Sequence, residues 1–434
     1  MAPNPNTIPL MTTWTKEFQS THYKIPVYPA ISNYRLKSDL KKGNTVKRTY
    51  ARQLVAKNMG GGGEFTRQTV VNTEESLVVN YEKDASFYIK SLDEIQDHLP
   101  TRTKYARNSN VAIHQQIDAD VLGKYASFTN SLDDSYFGGT SGNGISLSAA
   151  NVPQMFSGVN LLLQRANIFI NVAAKFTAVK AEDSQFDMGV AVISPDVMNK
   201  IIERLEGKAS ALGDTVGVQG HVGKYMGYEL FVSNALAWTG QLYLPTNPTD
   251  GDTLVINGVT LTAKSTVDAG TTAGQFKIAS TVDLTRANLA TFLTAGGATT
   301  VADSTNAGYN AVSSTPDSSG FSDQDRLANI TATNDNTADT LSLVALGKGY
   351  VRVSETFTAA ANVFTTGLQI QHCLIGVANA IDVVIQAEPS LDERKRDGYV
   401  GYDVITWAAY GVKVFNDGLS KMVDVKVSTE SYIA

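Results

Sequence analysis

The 434-residue chain carries 36 Lys and Arg against 42 Asp and Glu, a net charge of -6, so as a whole it is not a basic nucleic-acid binder. Its 43% hydrophobic and 18% charged composition fits a globular protein of two or three domains with a sizeable core. The single cysteine, Cys373, excludes an intrachain disulfide or a Cys-built metal site, and with no secretory leader and no apolar run of ~18 residues, a reducing cytoplasm is the expected setting.

Residues 1–43 read as an arm. Pro3, Pro5, Pro9, Pro26 and Pro29 interrupt regular elements, and Ile8, Leu10, Trp14, Phe18 and Tyr23 are too scattered to make a core alone. Such an arm needs tying down, and a neighbouring subunit is the economical candidate. The charge here is uneven: between Met1 and Val70 there are 11 Lys and Arg, against only Glu17, Asp39 and Glu64. A basic arm seeks nucleic acid or an acidic neighbour, or is simply solvated.

Residues 44–89 predict a long hairpin. Thr45 to Val55 and Phe65 to Tyr88 supply strand-forming residues on either side of Gly60-Gly61-Gly62-Gly63, and Arg48, Arg52, Lys57 and Arg67 line it. Two strands with a loose tip are unstable alone, so the hairpin should lie on another surface. The glycine run lacks the Lys-Ser/Thr and helix of a phosphate-binding loop.

A helix is predicted over 100–129. Tyr105, Ala112, Ile113, Ile117, Val121, Tyr125 and Phe128 mark one face, and Arg107, Gln115, Gln116, Asp118, Asp120 and Lys124 occupy the rest. Residues 131–149 are a Gly/Ser-rich connector, and 151–167 make a second helix with Asn151 as its cap. A buried strand, Gly189 to Ile193, leads into a helix opened by Ser194-Pro195 and stopped at Gly207. Gly223 and Gly227 bracket a turn into the strand Tyr228 to Val232.

Residues 241–366 change in composition, being rich in Thr, Ala, Asn, Asp and Gly. Asn257-Gly258 predicts a two-residue hairpin, Leu284 to Leu293 a helix, and 296–325 a long exposed loop. The block reads as a mostly β insert. The chain resumes at Leu368 with an apolar run to Ile385, a charged surface loop at 388–397, and closing strands to Val427.

No catalytic constellation emerges. The five histidines are scattered, and adjacent His372 and Cys373 would point to opposite faces of a strand. Ser141 lacks the G-x-S-x-G spacing of a nucleophile elbow. Asp250, Asp252 and Asn257 suggest Ca²⁺ only loosely, since solvated turn acids are several times commoner. The expectation is no catalytic, cofactor or metal site.

The order of arm, hairpin, long helix and α/β domain resembles the Hong Kong 97-type major capsid proteins of tailed phages. Two local phrases support the resemblance, Gly223-Lys-Tyr-Met-Gly-Tyr-Glu-Leu-Phe-Val-Ser-Asn-Ala-Leu236 and Tyr410-Gly-Val-Lys-Val-Phe-Asn-Asp-Gly-Leu419. It implies an α+β fold with an N-terminal arm (1–43), an E-loop hairpin (44–80), a peripheral domain (81–150) holding the spine helix (100–129), an axial domain in two parts (151–240 and 367–434, the latter with closing peripheral strands) and a mostly β insertion domain (241–366). It further implies a virion protein, assembled in the host cytoplasm, that forms pentamers and hexamers of an icosahedral shell around double-stranded DNA. Its partners would be itself, a separate scaffolding protein, a portal protein, a decoration protein and DNA held non-specifically. No large cleaved leader is expected, because the hairpin begins so early. Arg48, Arg52, Lys57 and Arg67 are then candidate intersubunit contacts. Lys16, Lys24, Arg35, Lys37, Lys41 and Lys42 are candidates for the inner surface. A cellular nanocompartment shell of the same fold, or a secreted β-rich adhesin, are the alternatives.

Overall fold

The computed structural model describes residues 22–38, 40, 43–51, 54–59, 67–91, 101–170, 189–206, 223–267, 273–395 and 398–430. In chain order the first elements are α1 (Tyr28–Ile31), β1 (Ser32–Asn33), a 3-10 turn (Arg35–Ser38), β2 (Thr45–Ala51), β3 (Asn72–Val78), β4 (Tyr81–Lys90) and α2 (Thr101–Leu122). They continue with β5 (Asn130–Leu132), α3 (Val152–Arg165), β6 (Gly189–Ile193), α4 (Pro195–Glu206), β7 (Lys224–Tyr225), β8 (Tyr228–Val232) and β9 (Trp238–Tyr243). Next come β10 (Thr253–Ile256), β11 (Val259–Lys264), β12 (Gln275–Lys277), α5 (Val282–Thr294), α6 (Asp323–Leu327), β13 (Ile330–Asp335) and β14 (Thr340–Ala345). The last are β15 (Val353–Glu355), β16 (Val363–Phe364), β17 (Ile370–Val377), β18 (Ile381–Lys395), β19 (Gly401–Lys413) and β20 (Met422–Ser428).

The chain divides into two compact units. Of the described residues, one holds those within 22–23, Tyr81–His114 and Ala387–Ala409. In it β4, β19 and β18 lie side by side, and the Phe87 and Tyr105 rings pack 5.8 Å apart. Arg102 sits over the Tyr402 ring and pairs with Glu393. The segment 388–395, expected as a loop, is strand instead. Alternation of exposed and half-buried residues lets its charges face outward while its backbone pairs in the sheet.

The other unit holds Lys24–Asn80, Gln115–Gln386 and Tyr410–Ala434. Its centre is a sheet in the order β13-β14-β9-β17-β6-β8-β7, with β16 on β9, β20 on β17 and β5 on β20. Every residue of β6 and β17 is buried. Runs such as Gly-Val-Ala-Val-Ile are what a strand covered on both faces requires. Helix α3 covers β17 and β20, burying Met155, Phe156, Val159 and Leu163. Asn151 does not cap it as expected. Its side chain turns back to accept from the Ser148 N–H at 2.8 Å. Ser194 does cap α4, accepting from the Val197 N–H at 3.2 Å.

A second sheet, β12-β11-β10-β15, lies within residues 241–366. Asn257 and Gly258 turn β10 into β11 with φ of 52° and 82°, the mirror-image turn that suits strand twist. Helix α5 packs on β12, β13 and β14 and buries Leu289, Phe292 and Leu293 against Trp238, Leu261, Phe276 and Leu341. Strand β9 crosses residue 241 and pairs with β14 on one side and β17 on the other. The region 296–325, expected as an exposed loop, buries Tyr309, Asn310 and Val312 and pairs Val301 with Tyr309.

The long helix departs from a single-stripe pattern. Tyr105 is 49% exposed and Ala112 is exposed, whereas residues 117–122 are buried all round, including Asp118 and Asp120. Apolar spacing located the helix but not the enclosure of its last turn. The α-helix stops at Leu122, and a 3-10 turn runs from Gly123 to Ser127. A Cβ at Gly123 would come within 3.1 Å of the Leu346 side chain, so the residue keeps this approach open.

Candidate assembly site: the hairpin root and the arm

Among the described residues, strands β2 and β3 pair only with each other, from Thr45↔Val78 to Ala51↔Asn72. Val46 and Leu77 are their buried residues, and Leu77 packs with Val384 and Phe415. Beyond the ladder, residues 54–59 and 67–71 continue without strand pairing. There the Gln68 side-chain amide takes the ladder's place, accepting from the Val55 N–H at 3.2 Å and donating to the Val55 carbonyl. Leu54, Val55, Met59, Val70 and Val71 are 50–71% exposed. The four-glycine tip lies outside the described residues.

Polar contacts fix the root. The Arg48 guanidinium donates to both Asp417 carboxylate oxygens, at 3.2 and 2.7 Å. It also stands 3.7 Å from Asp382 Oδ2 and 5.4 Å from the Phe415 ring centroid. Lys413 Nζ donates to the Ser76 carbonyl at 2.9 Å, and the Asn416 N–H donates to Glu75 at 3.2 Å. Asp382 is 2% exposed, and burial pushes its carboxyl up to about 6 although Arg48 opposes the shift. A cleft of about 490 Å³ opens at this root, lined among others by Arg35, Arg48, Glu75, Phe415, Asp417 and Lys421.

The arm from residue 22 is held by its own chain, with Val27, Tyr28 and Ile31 buried. Asp118 Oδ1 accepts from the Val27 and Tyr28 N–H groups at 2.9 and 2.7 Å, capping α1 from outside. Gln115 donates to the Lys24 carbonyl at 3.0 Å, and Lys24 Nζ donates to the Gly347 carbonyl at 2.6 Å. Strand β1 pairs in parallel with the start of β18, Ser32↔Ile381 and Asn33↔Asp382. Burial pushes the Asp118 carboxyl up to about 6 against the pull of those N–H groups and Lys24. Burial also lowers the Lys24 ammonium and, with Lys24 beside it, takes Lys348 down to about 8.

Of the candidate contacts, Arg48 is at the root, while Lys57 and Arg67 are exposed farther along the hairpin. Arg52, Lys16, Lys41 and Lys42 lie outside the described residues. Arg35 and Lys37 are exposed on the 3-10 turn, whereas Lys24 is half-buried against Gly347. The structure brings Arg35 and Arg48 to one cleft and leaves the other described candidates apart. Sequence reasoning missed Asp382, Asp417 and Phe415 at the root and the inward role of Asp118. The available signal was an isolated acid in an apolar run, as in Ala380-Ile-Asp-Val-Val384, since a buried carboxylate needs partners.

The residues weighed for chemistry are otherwise engaged. His372 lies between Asp424 (Nδ1 to Oδ1, 2.9 Å) and Thr239 (Nε2 to Oγ1, 3.0 Å), stacked 3.8 Å from the Tyr125 ring. This network clamps the 3-10 end of the long helix onto β9, β17 and β20. Burial pushes the Cys373 thiol up to about 12, far from a reactive thiolate. Asp252 accepts from Thr249 and Thr358, Asp250 from the Ser265 N–H, and Asn257 serves its turn. Among the described residues no cluster of His, Cys, Asp and Glu could hold a metal ion. No helix among them is long and apolar enough to cross a membrane.

No family model and no curated protein matches the sequence. Solved structures do match. A structure from Mycobacterium phage Che8 aligns over 97% of this chain and 98% of its own, with a TM-score of 0.54 and 12% identity. The capsid structure of the cyanophage P-SCSP1u covers 97% and 93%, with a TM-score of 0.49 and 11% identity. The mature capsid of bacteriophage PhiM1 covers 96% and 92%, with a TM-score of 0.47 and 10% identity. At such identities the likeness is one of fold, and it extends over nearly the whole chain. The chain therefore shares its fold, over nearly its whole length, with the structure from Mycobacterium phage Che8.

Proposed function

We propose that this chain is the major capsid protein of a tailed phage, a structural protein that assembles with copies of itself into an icosahedral shell around double-stranded DNA. The observation that carries the reading is the hairpin. A pair of strands outside any larger sheet among the described residues, ionically fixed at its root and with Leu54, Val55, Met59, Val70 and Val71 exposed beyond its ladder, is a surface made to be covered. A neighbouring copy of the chain covers it, with Arg48, Arg52, Lys57 and Arg67 among the contacts. Many such shared interfaces make individually modest contacts strong in aggregate. Lys16, Arg35, Lys37, Lys41 and Lys42 face the shell interior, where backbone charge alone holds DNA. Residues 241–366 act as an insertion domain turned outward. A separate scaffolding protein, a portal and a decoration protein complete the set of partners, and assembly takes place in the host cytoplasm.

Sedimentation and negative-stain microscopy of the chain, expressed alone and with a candidate scaffolding protein, test the reading. Closed particles or rings of five and six copies are expected. A chain that stays monomeric under both conditions overturns it. Native particles that enclose protein cargo instead of DNA transfer the chain to the nanocompartment class.

A further inference from the structure

We propose that Asp382 is a coupling node through which the docking of the arm and the docking of the hairpin stabilise each other. Its two carboxylate oxygens serve two different extensions of the chain. Oδ1 accepts from Asn33 Nδ2 of the arm at 2.8 Å, and Oδ2 faces Arg48 of the hairpin at 3.7 Å. The carboxylate sits in the buried opening of β18, between Ile381 and Val383, both 0% exposed. The arm is threaded beside it at the same point, since Ser32 and Asn33 pair with Ile381 and Asp382, and the Asn379 N–H donates to the Ile31 carbonyl at 2.9 Å. The hairpin closes the other side, where Arg48 is held in place by Asp417 and by the Phe415 ring.

The coupling follows from solvation. A charge pair is worth several times more when water is kept from it than when it is wet. With the arm docked, Asp382 is covered and its attraction for Arg48 is strong. If the arm lifts, water reaches the carboxylate and the hold on the hairpin weakens. The converse applies when the hairpin lifts, because the hydrogen bond from Asn33 then competes with water. Any such coupling is reciprocal by thermodynamic necessity. A neighbour that seizes the hairpin would thereby firm the arm of the same chain. That consequence rests on the assembly reading, whereas the coupling itself belongs to a single chain and is testable there.

Hydrogen exchange on the full chain, kept dilute and unassembled, reads it directly. Asn33→Ala should speed exchange at least about fivefold not only in residues 28–33 but also in β2 and β3. Arg48→Ala should speed it by a like factor in β2, β3 and residues 28–33. Amides of β17 serve as the internal reference for an intact core. If Arg48→Ala frees β17 as well, Arg48→Gln, which keeps the stem while removing the charge, is read by the same criterion. Lys47→Ala removes the exposed pair with Glu74 on the same hairpin and should leave the arm unchanged. The proposal is overturned if Asn33 and Arg48 variants each loosen only their own segment. It is equally overturned if Lys47→Ala loosens the arm too, because the communication would then bypass Asp382.

Discussion

The hairpin and residues 241–366 are both β-rich, and they treat their apolar residues in opposite ways. The block at 241–366 folds two sheets and α5 around Trp238, Leu254, Leu261, Phe276, Leu289, Phe292 and Leu341, all fully buried. One of its cations is turned fully inward too: Arg286 is 0% exposed and donates to Asn334, Asp283, Asp339 and the Leu244 carbonyl. The hairpin buries Val46 and Leu77 near its root and leaves Leu54, Val55, Val70 and Val71 exposed. One region is finished within its own chain and the other is not. Apolar content alone does not separate them; closure of the backbone ladder does.

The largest test of that contrast is a truncation in the closed region. Phe292→Ala should lower unfolding stability by about 3–5 kcal/mol, the usual range for emptying a buried aromatic site. Urea denaturation checks it. A loss under about 1 kcal/mol would mean the block is loosely packed and the contrast with the hairpin is false.

The two regions also differ in how they hold acids. In the block, Asp250, Asp303 and Asp317 are kept below the usual carboxylate range, by Ser265, Lys277 and Ser319 respectively, and Glu355 alone of its shifted acids among the described residues is raised by burial. At the arm and hairpin root, Asp118 and Asp382 are pushed up to about 6, chiefly by burial. A folded-state value above the unfolded one means the native chain binds the extra proton between about pH 4 and 6. Stability from Asp118 is therefore fully present at the acid end of that window and falls as pH rises through it. Asp250, Asp303 and Asp317 carry the opposite sign, and their contribution is lost only as pH falls below about 4. Asp118→Asn, which keeps an acceptor for Val27 and Tyr28, should remove a slope worth on the order of 2 kcal/mol across the window. Denaturant midpoints from pH 4 to 7.5 measure it. A wild-type profile that rises with pH, or one that Asp118→Asn leaves unchanged, would sink this assignment.

Much of the architecture was legible because it is written in local periodicity and turn chemistry. Pro195 after Ser194, the Asn257-Gly258 turn and the Gly223 to Gly227 bracket each specify their geometry within a few residues. The candidate site was legible only in part. Arg48 was singled out, as an intersubunit contact, because it lies on an obvious hairpin; the partners it has within its own chain come from 334 and 369 positions away (48 to 382 and to 417), where no local rule reaches. Asp118 and Asp120 looked like the wet face of a helix. Their burial depends on the arm and on Tyr410, whose hydroxyl donates to Asp120 at 2.5 Å. The charged stretch 388–395 looked like a loop because its composition outweighed its alternation.

The smallest expected effect on stability is the most informative about function. Val55→Asp and Val71→Asp place charges on residues already 66% and 50% exposed, outside the described ladder. Surface substitutions of this kind normally change stability by no more than about 0.5 kcal/mol. If the hairpin is a surface completed by a neighbour, the same substitutions should abolish particles in microscopy while the melting curve of the isolated chain stays put. A buried charge at an interface costs far more than the same charge in water. If both variants assemble normally, the exposed apolar residues have no neighbour to meet, and the hairpin's incompleteness is only apparent. If both melt early, the hairpin is packed against its own chain. Of the three outcomes, only stable chains without particles fit a region left open for another copy.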